Sequence, residues 1–116
     1  MISVQLTDFS VTDEDGRNTV DYVFDLWAQR DSDTAWETDR LTYFRMVVHL
    51  PNWNVPLEHR DYETDKALLA MLDRWLAESP VLIARFQEAC DAAWVAELDY
   101  RAECRAERRR EQLEGR

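Results

Sequence analysis

AWETDRLTYFRMVVHL, residues 35–50, is the stretch whose reading decides the fold. Read as a strand, it sets Phe44, Met46, Val48 and Leu50 on one face, and its aromatic and β-branched content suits a pleated, half-buried surface. Read as a helix, it has Thr34 and Glu37 in capping-box spacing, and Thr38, Thr42, Arg45 and His49 line a polar stripe. The strand reading is taken for residues 41–50. It decides whether the sheet holds three strands or only the hairpin that precedes it.

That hairpin is legible from alternation. ISVQLTDFSVTD places Ile2, Val4 and Leu6 on one face and then shifts phase to Phe9 and Val11, which predicts a bulge at Thr7–Asp8. Asp13-Glu14-Asp15-Gly16-Arg17 supplies turn chemistry, and TVDYVFDLWA resumes with Val20, Tyr22, Phe24, Leu26 and Ala28 on one side. The other side carries Asp21, Val23, Asp25 and Trp27, a half-polar face suited to water or a partner.

Downstream, PNWNVPLEH reads as a loop over residues 51–60, because Pro51 and Pro56 lack backbone donors. A helix follows over 61–79, with Leu68, Leu72, Trp75 and Leu76 on one stripe and Leu69 and Met71 beside it. Ser79-Pro80 ends it and opens the next, Ser79 as N-cap and Pro80 in the first turn. The last helix runs over 80–113. Its stripe Leu82, Ile83, Phe86, Cys90, Ala93, Trp94 and Leu98 fades after Tyr100, so the charged C-terminal part must overhang, fraying beyond about residue 105 unless a partner or second copy holds it. Trp75 and Trp94 belong to the core on this reading.

The expected fold is α+β in one domain, an antiparallel sheet of two or three strands packed on a C-terminal helical hairpin. Residues 1–50 form the β-meander.

Composition narrows function. The 116 residues carry 24 Asp plus Glu against 14 Lys plus Arg, a net charge of −10. Residues 97–116 hold six acids and six bases, so the whole imbalance lies on the body. Such a body repels nucleic-acid phosphate and anionic lipid and favours a basic protein surface. With two glycines, Gly16 and Gly115, the chain has no phosphate-cradling glycine loop. No apolar run approaches the roughly 18–20 residues that span a bilayer. The opening lacks a basic start, and two unpaired thiols suit a reducing compartment, so a cytoplasmic protein is expected. Cys90 and Cys104 are 14 residues apart on one helix, roughly 21 Å at the helical rise, too far to bridge.

No motif for chemistry is complete. His59-Arg60-Asp61 matches a kinase tripeptide, but the glycine loop and lysine are missing. The Asp13-x-Asp15 and Asp31-x-Asp33 starts of a calcium loop lack the Glu needed at the twelfth position. His49 and His59 lack zinc-ligand spacing. No catalytic, metal or cofactor residue is assigned, and a non-enzymatic protein is expected. The informative features are surfaces. Acids at Asp13, Glu14, Asp15, Asp21, Asp25, Asp31, Asp33, Glu37 and Asp39, with Trp27, Trp36 and Trp53 as aromatic anchors, form the predicted partner-binding set. Asp61, Glu63 and Asp65 are explained locally, as acids that complement a helix dipole.

In size, charge and layout the chain resembles the small, acidic, non-enzymatic inhibitors encoded by bacteriophages, of the anti-CRISPR type. These share no motif, so no residue roles carry over. The resemblance implies stoichiometric binding to a CRISPR effector subunit in the host cytoplasm, blocking a basic surface meant for nucleic acid. The alternative is an assembly protein, a homodimer or larger oligomer formed through the C-terminal helix.

Overall fold

A computed structural model describes residues 1–15, 18–50, 53–59 and 62–115, with side chains described for 1–13, 19–38, 63 and 65–115. The chain runs β1 (Ile2–Asp15), β2 (Asn18–Arg30), β3 (Glu37–Leu50), β4 (Trp53–His59), α1 (Tyr62–Glu78) and α2 (Pro80–Glu114). All four strands form one antiparallel sheet in the order β1-β2-β3-β4. The α+β class is as expected, and the stretch that decides it is a strand.

The phase slip in β1 is a bulge. Leu6 pairs with Leu26 and Phe9 with Phe24, so Thr7 and Asp8 together face the single residue Asp25. Asp8 takes φ 60° and donates its backbone N–H to Asp25 Oδ1 at 3.1 Å. Aspartate is among the few residues that enter this left-handed region readily, because its short polar side chain bonds locally. The inserted residue restores the inward phase, and Val4, Leu6, Phe9 and Val11 are all buried.

The core lies between one sheet face and the helices. Phe24, Leu26 and Ala28 from β2 meet Leu68 and Leu72 from α1 and Leu82, Phe86 and Cys90 from α2. Phe9 meets Phe86 edge to face, ring centroids 5.5 Å apart. Trp75 and Trp94 sit half-buried at the margin of this cluster, Trp75 tilted against Tyr22 at 5.2 Å. The helical hairpin turns on Ser79, whose hydroxyl accepts from Leu82 N at 3.3 Å while Pro80 fills the first turn. This is the expected cap.

Two expectations change. Residues 53–59 are a strand, pairing Trp53 with Leu50 through His59 with Phe44, so the sheet has four strands rather than two or three. Pro56 is compatible with this because β4 is an edge strand, where a missing donor interrupts one ladder only. The acids Asp13-Glu14-Asp15 belong to β1, which runs on until Asp15 pairs with Asn18. Gly16 and Arg17 lie outside the described residues. The last helix has the expected extent: α2 runs to Glu114, where Gly115 N donates to Glu111 O at 2.9 Å. Its Ala, Glu, Arg, Gln and Leu content is a run of strong helix formers.

The strand β3 also starts earlier than expected, at Glu37. Its early part holds register with β2 through two bulges, one residue each at Thr42 and Asp39. No described helix is long and apolar enough to cross a membrane.

If Asp8 carries the bulge through its left-handed backbone, Asp8→Gly will hold or raise the urea unfolding midpoint. Asp8→Val, which has no local compensation, will lower stability by about 1–2 kcal/mol.

Candidate functional site

Strand alternation sorts the residues of β2 onto two faces. Phe24, Leu26 and Ala28 point into the helix-covered core, so Asp21, Val23, Asp25 and Trp27 line the opposite face. Both described helices pack their core residues on the other side. Asp21 and Asp25, four residues apart, are separated by about 13 Å along the strand. Each is held. Thr12 Oγ1 donates to Asp21 Oδ1 at 2.8 Å, and Asp8 N donates to Asp25. Trp27 is half-buried in a cleft of about 400 Å³ lined by Gln5 and Thr7 of β1 and by Ala93, Glu97 and Arg101 of α2, so α2 reaches this face at its β1 edge. This face of the central strand β2 thus presents two oriented carboxylates and, beside α2, a half-buried indole.

The remaining predicted residues do not join this group. Asp13 is exposed near the β1–β2 end of the sheet, where its charge adds to burial in pushing the Tyr22 hydroxyl above its usual range. Asp31, Asp33 and Glu37 are exposed around the β2–β3 connection, at the far end of β2. A 13-residue strand spans roughly 40 Å, so the two ends cannot share one interface of ordinary size with the middle. The side chains of Glu14, Asp15, Asp39 and Trp53 lie outside the described residues.

Trp36 leaves the set altogether. It is only 4% exposed and is clamped to α2. Its indole Nε1 donates to Asp91 Oδ1 at 2.9 Å, its backbone N donates to Gln87 Oε1 at 3.1 Å, and Gln87 Nε2 returns a bond to Trp36 O at 3.2 Å. Arg30 stacks over its ring at 4.4 Å and reaches Asp91 at 3.4 Å. A side chain so committed to its own fold cannot anchor a partner. This clamp is what the sequence reading missed, since its members lie up to 61 residues apart. It holds the β2–β3 connection, already turned by Thr34 Oγ1 accepting from Asp31 N, against the helical layer.

The ladder sets His49 opposite Asn54 and His59 opposite Phe44. The two histidines are thus five pairs apart, about 17 Å along the strands, too far to share an ion. Among the described residues, no three His, Cys, Asp or Glu cluster as metal ligands. Both cysteines are free. Burial pushes the Cys90 thiol up to about 12, with Asp91 adding to the rise and Arg30 opposing it. Asp73 lines a groove with Leu76, Ile83 and Gln87, and partial burial raises its carboxyl above the ordinary range.

Comparison with protein-family models, curated proteins and solved structures finds no match. The functional reading therefore rests on the geometry of this acidic face of β2.

Two measurements check this arrangement. Trp36→Phe removes the indole donor and is expected to cost about 1–2 kcal/mol in urea unfolding, and Gln87→Ala about 1 kcal/mol, because each breaks part of the clamp. In the native protein a thiol reagent will label Cys104 alone. Cys90 will react only after denaturation, being both fully buried and held protonated.

Proposed function

We propose that this chain is a non-enzymatic binding protein that docks the acidic face of β2 on a basic surface of a nucleic-acid-handling protein and so denies that surface to nucleic acid. The observation that supports it best is the placement of Asp21, Asp25 and Trp27 together on the face of β2 opposite its core residues, in a body that carries the entire −10 charge. Carboxylates fixed by Thr12 and Asp8 meet cationic side chains with little reordering, which lowers the entropic cost of association. The surrounding negative field raises the encounter rate with a cationic cleft. Trp27, half-buried in its cleft, supplies the apolar contact that electrostatics alone does not, in the manner of aromatic anchors at interfaces.

Charge at the two ends of the sheet acts differently. Asp13, Asp31, Asp33 and Glu37 are exposed and spread over tens of ångströms, so they contribute to steering rather than to a buried contact. The resemblance to phage-encoded anti-CRISPR inhibitors suggests a CRISPR effector subunit as the partner and the host cytoplasm as the setting.

The test is association with a purified, guide-loaded CRISPR effector complex between about 50 and 500 mM salt. Steering predicts an on-rate that falls at least tenfold over this range, and loss of target-DNA binding by the occupied complex. Asp25→Asn with Trp27→Ala should raise the dissociation constant by about 100-fold. A salt-independent on-rate removes steering, and undisturbed DNA binding removes the inhibitory reading.

A further inference from the structure

Past Trp94, α2 continues for 20 residues, about 30 Å of helix, with Glu97 and Arg101 on one side still lining the Trp27 cleft beside the sheet. On this stretch Val95 is 57% exposed, Leu98 43% and Leu113 75%, and the small residues Ala102 and Ala106 lie between them. At about 100° per residue these five project to one side of the helix, the side opposite Phe86 and Cys90. They form an apolar stripe that faces away from the molecule's own core. Arg109 interrupts it before Leu113, so its continuous part is Val95–Ala106.

The charges beside the stripe are segregated. Arg101 and Arg105 stand on one flank, Asp99 and Glu103 on the other. Neighbours at i and i+4 are consequently like-charged: Arg101, Arg105 and Arg109 in one row, Glu103, Glu107 and Glu111 in another. A helix built to stand alone gains from opposite charges at this spacing and loses about 0.2–0.5 kcal/mol for each like pair. Arg101 finds relief at Glu97, 3.0 Å away. Arg110 stands on the acidic flank with Glu107 and Glu114 at intrahelical pairing distance in sequence. Arg108 likewise stands three residues before Glu111, so Asp99, Glu103, Arg105 and Arg109 are the ones with no opposite charge three or four residues away on their own helix.

We propose that the occupant of this stripe is α2 of a second copy of the chain, lying parallel and in register over Val95–Ala106. Both halves of the complement are present in one chain, which is why a second copy fits. A two-fold axis along the helices brings the basic flank of each copy to the acidic flank of the other. Antiparallel pairing instead sets Arg101 and Arg105 against the same arginines. Because the stripe points away from the sheet, the two bodies lie outboard and do not collide. Upstream, Glu88 and Asp91 fall on the same side of α2 and repel their counterparts, so pairing is confined to the projecting part. This inference is independent of the inhibitory reading.

The experiment is sedimentation of the full chain over roughly 10–300 µM. The mass should rise toward that of a dimer, and Leu98→Glu, an exposed change that leaves helix content by circular dichroism unaltered, should raise the dissociation constant at least tenfold. Orientation is read by cross-linking in a Cys104→Ser background, where buried Cys90 stays silent. Val95→Cys alone should give a covalent dimer under mild oxidation. A chain that stays monomeric at the highest concentration overturns the proposal, as does an unchanged dissociation constant for Leu98→Glu. So does cross-linking only when Val95→Cys is mixed with Ala106→Cys, the antiparallel signature.

Discussion

The architecture depends on keeping five apolar residues of β1 against a helical layer that covers one sheet face. Strict alternation over 14 residues fails to do so in this sequence, because Phe9 and Val11 are out of phase with Ile2, Val4 and Leu6. The extra residue at Thr7–Asp8 resolves the conflict at the cost of one left-handed backbone conformation. Burying Phe9 and Val11 contributes roughly 1.5–3 kcal/mol each, against about 1–2 kcal/mol for a left-handed residue, less for aspartate. Burial wins. The same bulge aims Asp8 N at Asp25, so the device that completes the core also orients a carboxylate on the opposite face.

Features set by neighbours in sequence are legible from the residues alone. The phase slip in β1, the Ser79-Pro80 boundary and the stripe on α1 each rest on residues a few positions apart, and each stands where periodicity or capping places it. Features set by distant pairing are not legible. PNWNVPLEH has the composition of a loop, and β4 forms because β3 offers an open ladder edge. Asp39 and Thr42 break the alternation of β3, which is why helix and strand patterns compete over that stretch. Trp36 looks like an anchor among acids until Asp91 and Gln87, more than 50 residues on, remove it from the surface. Of the predicted site, the trio on β2 is recoverable because alternation alone assigns its face; the dispersal of the other acids follows only from the 40 Å length of the strand.

One-sided helix packing has a further consequence. A sheet covered on both faces has only loops and edges left for recognition, whereas this sheet offers a central strand whose backbone is fixed by ladders on either side. Rigid placement matters more for charge than for apolar contact, since a carboxylate that must be reoriented on binding forfeits much of the gain. Thr12 and Asp8 perform that orientation in the free protein. The clamp at Trp36 contributes from a distance, because it fixes the connection from which β3 departs and so helps to hold one neighbour of β2 in place.

The end of α2 beyond Arg101 and the acidic face of β2 operate as separate electrostatic bodies. At physiological ionic strength fields decay over about 8 Å, and the helix extends some 30 Å beyond Trp94. A segment with balanced charge at that distance neither weakens nor reinforces the field of the acidic body. Its own pattern therefore has a local cause. Strong helix propensity accounts for its continuity through Glu114, but propensity is indifferent to the order of Glu and Arg. Rows of like charge oppose what solitary helices favour, and they stand on either side of exposed Val95 and Leu98. Helix stability in isolation would have been served better by interleaving the same residues, so the arrangement is one that gains its value from an opposing surface.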